Sequence, residues 1–250
     1  MRKLASLIIV CLFVQSAIAQ SAEKIEPDRP GRSQTPFVVP KRKLQVETGF
    51  EWKKEDEDQQ EIQHPELVIK YGLLKHLELR TRLLTVTDRF KQMSTSQSGL
   101  EPVEVGLKAL ITEGKGILPH SSFSAQLGIP GFASKNYTVN KVFPKLRLNL
   151  ENEISEKLYL EYNVGAEWDG ENNNPQWLVS VSPHVEIGKK FQIFAETFTD
   201  MQVAEEPEVS VDAGLLYYLT NNVALDVAGG FGVSKKAPKS FVDIGFSFRF

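Results

Sequence analysis

The chain ends on Val242-Asp243-Ile244-Gly245-Phe246-Ser247-Phe248-Arg249-Phe250. Val242, Ile244, Phe246, Phe248 and Phe250 share one phase of a period of two, and Asp243, Gly245, Ser247 and Arg249 share the other. Successive side chains of a strand point to opposite faces, so this stretch predicts a strand with one apolar and one polar face. The same period recurs upstream from residue 44. It marks Leu44 to Trp52, Leu67 to Leu73, Leu77 to Leu83, Val103 to Ile111, Phe123 to Ile129 and Leu146 to Leu150. It continues through Leu158 to Trp168, Trp177 to Ile187, Phe191 to Ala195, Val209 to Tyr217 and Val223 to Phe231. With the terminal segment, twelve strands are expected.

The other end of the chain reads differently. Arg2 and Lys3, the apolar run Leu7 to Val14, and Ala17-Ile18-Ala19 before Gln20 have the pattern of a secretory signal peptide over residues 1–19. The run is shorter than the roughly 20 residues a transmembrane helix needs. Cys11, the single cysteine, lies inside it, so the mature chain is expected to have no disulfide and no thiol chemistry. Loss of Arg2 and Lys3 leaves 27 basic residues against 32 acidic ones. Such an acidic balance gives no sign of nucleic-acid binding. No other apolar stretch of helix length exists, which excludes a helical membrane protein and leaves a soluble periplasmic protein or a membrane barrel.

Connection lengths favour the barrel. Short turns are expected around Lys75-His76, Ser155-Glu156, Gly188-Lys189 and Thr220-Asn221-Asn222. Long polar loops are expected at 53–64, 87–101, 130–143, 169–175, 200–207 and 232–239, with one longer turn at 112–120 as the exception. An even strand number with alternating short turns and long loops is the pattern of bacterial membrane barrels. If both barrel ends lie on the periplasmic side, Trp52, Trp168 and Trp177 all fall at the outer interface, and Phe191, Tyr217 and Phe250 fall near the inner one. A soluble sandwich or lipocalin-like barrel also alternates, but its loops need not alternate in length, and the second face here is continuously charged. The terminal strand ending in Phe250 resembles the closing strand of bacterial outer-membrane β-barrels. That resemblance implies recognition by the barrel assembly machinery through Phe250 and residence in outer-membrane lipid of a Gram-negative bacterium. The expected fold is therefore all-β: an antiparallel transmembrane β-barrel of about 12 strands over residues 44–250.

In such a barrel the polar phase points inward. Expected pore-lining residues are Lys70, Arg80, Arg82, Glu104, Lys108, Arg147, Glu161, His184, Glu186, Glu196, Asp212 and Asp226. Bases gather between residues 78 and 82 and around 145–147, and acids from Glu161 onward. Either these charges pair across a filled interior, or they leave a polarised path that orients a solute. Enzymatic signals are weak. His120-Ser121-Ser122 is expected in a turn with no acid beside it. His184 shares a face with Ser180, Ser182 and Glu186, but residues two apart in a strand lie about 6.6 Å apart, beyond hydrogen-bond reach. No metal cluster, phosphate-binding glycine loop or cofactor fingerprint is evident, so no cofactor or metal is expected. The acidic stretches Glu55-Asp56-Glu57-Asp58 and Glu205-Glu206 belong to outer loops, where charge runs are ordinarily solvated.

Residues 20–43 are proline-containing and polar, without alternation. Asp28-Arg29-Pro30, the stretch Val38-Val39-Pro40, and Gln45-Val46-Glu47-Thr48-Gly49 resemble the start of a family of outer-membrane transporters linked by name to the meta pathway of phenol degradation. Lys41-Arg42-Lys43 stands where that family commonly has a glycine soon after the second proline. The resemblance implies passage of small, hydrophobic or aromatic compounds; with the polarised interior it makes a channel or transporter without chemistry the leading expectation. Two other functions are weighed beside it: a barrel enzyme acting on lipids around His184, and a structural barrel with ligand-binding loops. Asp28 and Arg29 are expected either to pair with interior charges as part of a plug, or to belong to a loose periplasmic lead-in.

Overall fold

Thirteen strands surround one interior in the computed structural model, which describes residues 24–203 and 205–250. The signal-peptide expectation lies outside these residues. In chain order the strands are β1 (Leu44–Lys54), β2 (Gln59–Leu74), β3 (Leu77–Phe90), β4 (Thr95–Leu100), β5 (Val103–Lys115), β6 (Leu118–Ile129) and β7 (Phe143–Ser155). There follow β8 (Leu158–Glu167), β9 (Gln176–Ile187), β10 (Phe191–Met201), β11 (Glu208–Thr220), β12 (Val223–Gly232) and β13 (Ser240–Arg249). The pairings between these strands are all antiparallel, and β1 joins β13 on one side and β2 on the other, which closes the barrel. β4 and β5 are two halves of one strand, because both pair with β3 in succession around the break at Glu101-Pro102. Twelve strand positions therefore ring the barrel, as the alternation predicts. Phe250 donates its backbone N–H to Leu44 O at 2.8 Å and fastens the closing strand to the first.

Packing is inverted relative to a soluble protein. The largest fully buried side chains include Arg80, Lys70, Lys108, Gln45, Glu47, Glu78, Asn149 and Asn163. Apolar residues face outward instead, among them Ile244 at 53 % exposure and Phe231 at 54 %. Trp52 and Trp177 are exposed on this outward face. Trp168 sits just past β8 and donates its indole N–H to Asn173 O at 3.1 Å. An outward apolar band with aromatic residues at its edge is the surface a barrel presents to lipid.

Several expected loops are shorter than the sequence suggests. β1, β2, β3 and β4 extend the ladder through most of 53–64 and 87–101, leaving only 55–58 and 91–94 as connections. The cause is chemical: Gln59, Gln60, Glu61, Arg89, Ser96 and Ser98 are polar whichever face they occupy, so the ladder there carries no alternation. The expected long turn at 112–120 is likewise a tight one at Gly116-Ile117, with a bulge between Leu110 and Thr112 that displaces the apolar phase. His120, Ser121 and Ser122 consequently lie in β6, not in a turn. Every connection at the end holding Leu44 and Phe250 is now short; this is called the turn end, and the opposite one the loop end.

Val227 is centred in β12 on the outward face, with Leu215 and Ile244 as its cross-strand partners. Val227→Arg is expected to lower folding stability in lipid vesicles by about 2–4 kcal/mol, read from denaturant midpoints. No loss would contradict the outward face as the lipid contact.

Candidate functional site

The N-terminal segment runs inside the barrel. Ile25 N–H bonds Asn221 O at 2.8 Å, and Arg42 N–H bonds Gly72 O at 2.7 Å, so the segment enters and leaves at the turn end. Between these points it rises to a tip around Pro30 to Ser33. Ile25 is wedged among Phe194, Leu216, Tyr218, Ala224 and Ala228, a small buried apolar cluster.

Three charged residues of the segment diverge onto different sectors of the wall. Asp28 receives Lys70 of β2 at 2.6 Å, Lys108 of β5 at 3.1 Å and Arg80 of β3. Arg29 turns the other way, to Glu66 of β2 at 3.0 Å, Asp226 of β12 at 3.4 Å and Asp243 of β13. Arg32 reaches Asp200 at the loop end of β10 at 3.1 Å. Backbone groups add to this. The N–H groups of Arg32 and Ser33 both donate to the Glu196 carboxylate at 2.7 Å, Gln34 N–H donates to Asn163 Oδ1 at 2.7 Å, and Val39 N–H donates to Glu78 Oε2 at 2.9 Å. An irregular segment without a ladder partner must find acceptors elsewhere, and the wall supplies them.

The Gln45-Glu47-Gly49 phase of β1 acquires a physical reading here. Gln45 Nε2 donates to Glu26 O at 3.2 Å and to Glu47 Oε1 at 2.7 Å. Glu47 accepts Lys70 Nζ at 2.6 Å and the Asp28 backbone N–H at 3.1 Å. Gly49 lies directly across from Gly245 of β13, and a Cβ on either would overlap the Arg29 guanidinium. The glycine pair thus opens a flat bed for Arg29 on the wall. All three residues share one strand face, so a period of two delivers them together.

The other sequence-named residues form local pairs. Arg82 bonds Glu66 at 2.6 Å and Glu104 at 3.0 Å, and Lys145 joins Glu104 at 2.7 Å. Arg147 pairs with Glu167 at 2.5 Å, and Glu186 with Lys24 at 2.8 Å. Asp212 faces Glu196 across β10 and β11. Glu161 and His184 stand apart in a group with Glu151. Sequence reasoning passed over Arg32, Ser33, Gln45, Glu47 and Gly245 as site residues. The alternation could have pointed to those in strands, but nothing periodic marks Arg32 or Ser33.

Among the described residues the two larger cavities are of about 400 Å³ on the loop-end side and about 500 Å³ on the turn-end side, with no lining residue in common. The first is charged, with Arg32, Arg82, Lys145, Glu51, Glu167 and Asp200 on its walls. The second mixes Phe37, Val38, Val39 and Leu110 with His120 and Arg249. Among the described residues His184 makes no hydrogen bond to a serine, and Ser180 Oγ is engaged by Ser33 Oγ at 2.7 Å. Two acids of the outer loops pair with lysines of the loop before β13: Glu57 with Lys239 as well as Lys54, whose hydrogen bonds hold its carboxyl down at about 2, and Glu205 with Lys236.

Comparison with solved structures returns membrane barrels. An outer-membrane channel from Pseudomonas putida F1 is similar over 89 % of this chain and 99 % of its own, with TM-score 0.67 and 11 % identity. The KdgM porin, solved in complex with disordered oligogalacturonate, covers 82 % of this chain and 99 % of its own, with TM-score 0.57 and 11 % identity. The NanC porin covers 82 % and 98 %, with TM-score 0.54 and 12 % identity. At such identities the likeness establishes the outer-membrane barrel fold alone. No curated protein matches the sequence. The family described as "Putative MetA-pathway of phenol degradation" matches residues 27–250, which include both the Asp28-Arg29-Pro30 stretch and the closing strand, and the chain belongs to that family.

Proposed function

We propose that the protein is an outer-membrane channel for small solutes in a Gram-negative bacterium, closed by its own N-terminal segment and performing no chemistry. One observation carries this reading: a segment fixed by interior charges separates two vestibules that share no wall residue. In this reading Lys70, Arg80, Lys108 and Asp226 hold Asp28 and Arg29 in place, while Arg82, Glu104, Arg147 and Asp212 line the approach from the loop end. The turn end faces the periplasm, and Phe250, exposed there, is free to meet the assembly machinery.

The vestibules bear on the solute. A molecule with one polar group on a small apolar or aromatic body finds charge on the loop-end side and an apolar patch around Phe37, Val39 and Leu110 on the other. A phenol is such a molecule, in keeping with the description of the family. A solved relative is likewise described as an outer-membrane channel.

Conductance in planar bilayers tests the closure. The intact mature chain is expected to conduct weakly, and deletion of residues 24–39 to raise single-channel conductance several-fold. Equal conductance of the two forms would remove the segment from the proposal. Gly49→Val tests the docking without altering any charge. By displacing Arg29 it should move conductance toward the deletion value while the barrel stays folded, and a variant as closed as the native chain would contradict the glycine bed. Asp28→Asn leaves Lys70, Arg80 and Lys108 together without their carboxylate and should cost about 3–5 kcal/mol in unfolding experiments. An unchanged denaturant midpoint would show that these cations are satisfied without Asp28.

A further inference from the structure

Glu151 of β7 lies directly opposite Glu161 of β8, and His184 of β9 lies next in line, opposite Tyr159. All three side chains are buried, and one ligand atom from each lies within 4.8 Å of the others. Like charges placed directly opposite in a sheet are unfavourable, and a buried carboxylate is costly without a partner. Elsewhere in this interior the buried acids Glu47 and Glu104 and the half-buried Glu167 each hold a lysine or arginine. Glu161 does not: among the described residues it makes no ion pair, and its Oε1 is buried with no hydrogen-bond partner. Among the described residues the one ion-pair contact of Glu151 is with His184, whose Nε2 lies 4.0 Å from Oε2. Glu196 and Asp212 also lie opposite one another, but there the backbone N–H groups of Arg32 and Ser33 donate to Glu196, whereas among the described residues no donor reaches Glu161 Oε1.

We propose that Glu151, Glu161 and His184 bind one divalent first-row transition-metal ion, Zn²⁺ being the best fit. An imidazole with two carboxylates is a nitrogen–oxygen set suited to zinc, whereas calcium and magnesium favour oxygen alone. The imidazole is held for the task, stacked on Tyr159 with ring centres 5.1 Å apart and planes inclined by 17°. A cavity of about 30 Å³ touches Glu161, His184 and Ser182, though not Glu151, and leaves space for a water beside two of the three ligands. Ligands at about 2.1 Å in tetrahedral array stand about 3.4 Å apart, so modest rotation of the two carboxylates closes the site. Pro27, Pro30 and Ser33 of the inserted segment line the same cavity, which places the ion beneath the segment. The proposal is independent of what the barrel transports.

The test uses the refolded mature protein, stripped with a chelator, then titrated with Zn²⁺ by calorimetry and with Co²⁺ by visible absorption. One ion per chain is expected. Glu161→Gln and His184→Ala should each weaken it by more than the roughly 100-fold that loss of an outer-shell partner costs. His76→Ala, at an exposed histidine beside Glu113, should leave it intact. Glu161→Gln keeps the side-chain shape and removes a buried like charge, so it remains a folded barrel and decides the matter if His184→Ala does not fold. Absence of stoichiometric binding at micromolar Zn²⁺, or binding that Glu161→Gln retains, would overturn the site.

Discussion

The Asp28 carboxylate is shared by Lys70, Arg80 and Lys108, which come from three different strands. Each of these cations is almost wholly removed from solvent, and among the described residues Glu47 and Glu78 are the other acids that form ion pairs with them. The wall is therefore incomplete without the segment, and the segment has no fold without the wall. Replacing a buried ion pair by apolar residues often costs nothing, whereas removing one partner is expensive. What the network contributes is accordingly the choice of one docked position over all others, more than net stability.

The rest of the interior follows from the same constraint. Adjacent residues of an extended segment project in different directions, so Asp28 and Arg29 cannot both serve one patch of wall. The bases of β2, β3 and β5 take one, and the acids of β2, β12 and β13 take the other. Close approach of Arg29 then requires the bare backbone of Gly49 and Gly245. Outside, the opposite phase of the same strands supplies the apolar band. One period of two thus writes the lipid contact and the docking surface into every strand at once.

This explains what the sequence reveals and what it withholds. The strands with one apolar face, such as Val223 to Phe231 and Val242 to Phe250, are legible because lipid and lumen differ sharply in polarity. The outer ladder around Gln59 to Gln63 and Thr95 to Leu100 is not, since water bathes both of its faces and no phase is enforced. The turn at Gly116-Ile117 is hidden by a bulge that shifts the phase just before it. In the site, Lys70, Arg80 and Glu196 follow from parity alone. Their partners do not, because pairing joins residues far apart in the chain, Arg29 with Asp243 for example, and irregular backbone around Arg32 and Ser33 has no period to read.

Ser33 and Ser180 offer the most direct measurement of whether the segment occupies the lumen. Their hydroxyl oxygens are 2.7 Å apart, and the only native cysteine, Cys11, lies in the expected signal peptide. Ser33→Cys combined with Ser180→Cys should form a disulfide in the membrane-inserted protein under mild oxidation, hold conductance at its closed level, and lose that hold on reduction. Two thiols that fail to cross-link and both react freely with a water-soluble maleimide would contradict the docked segment on which the account rests.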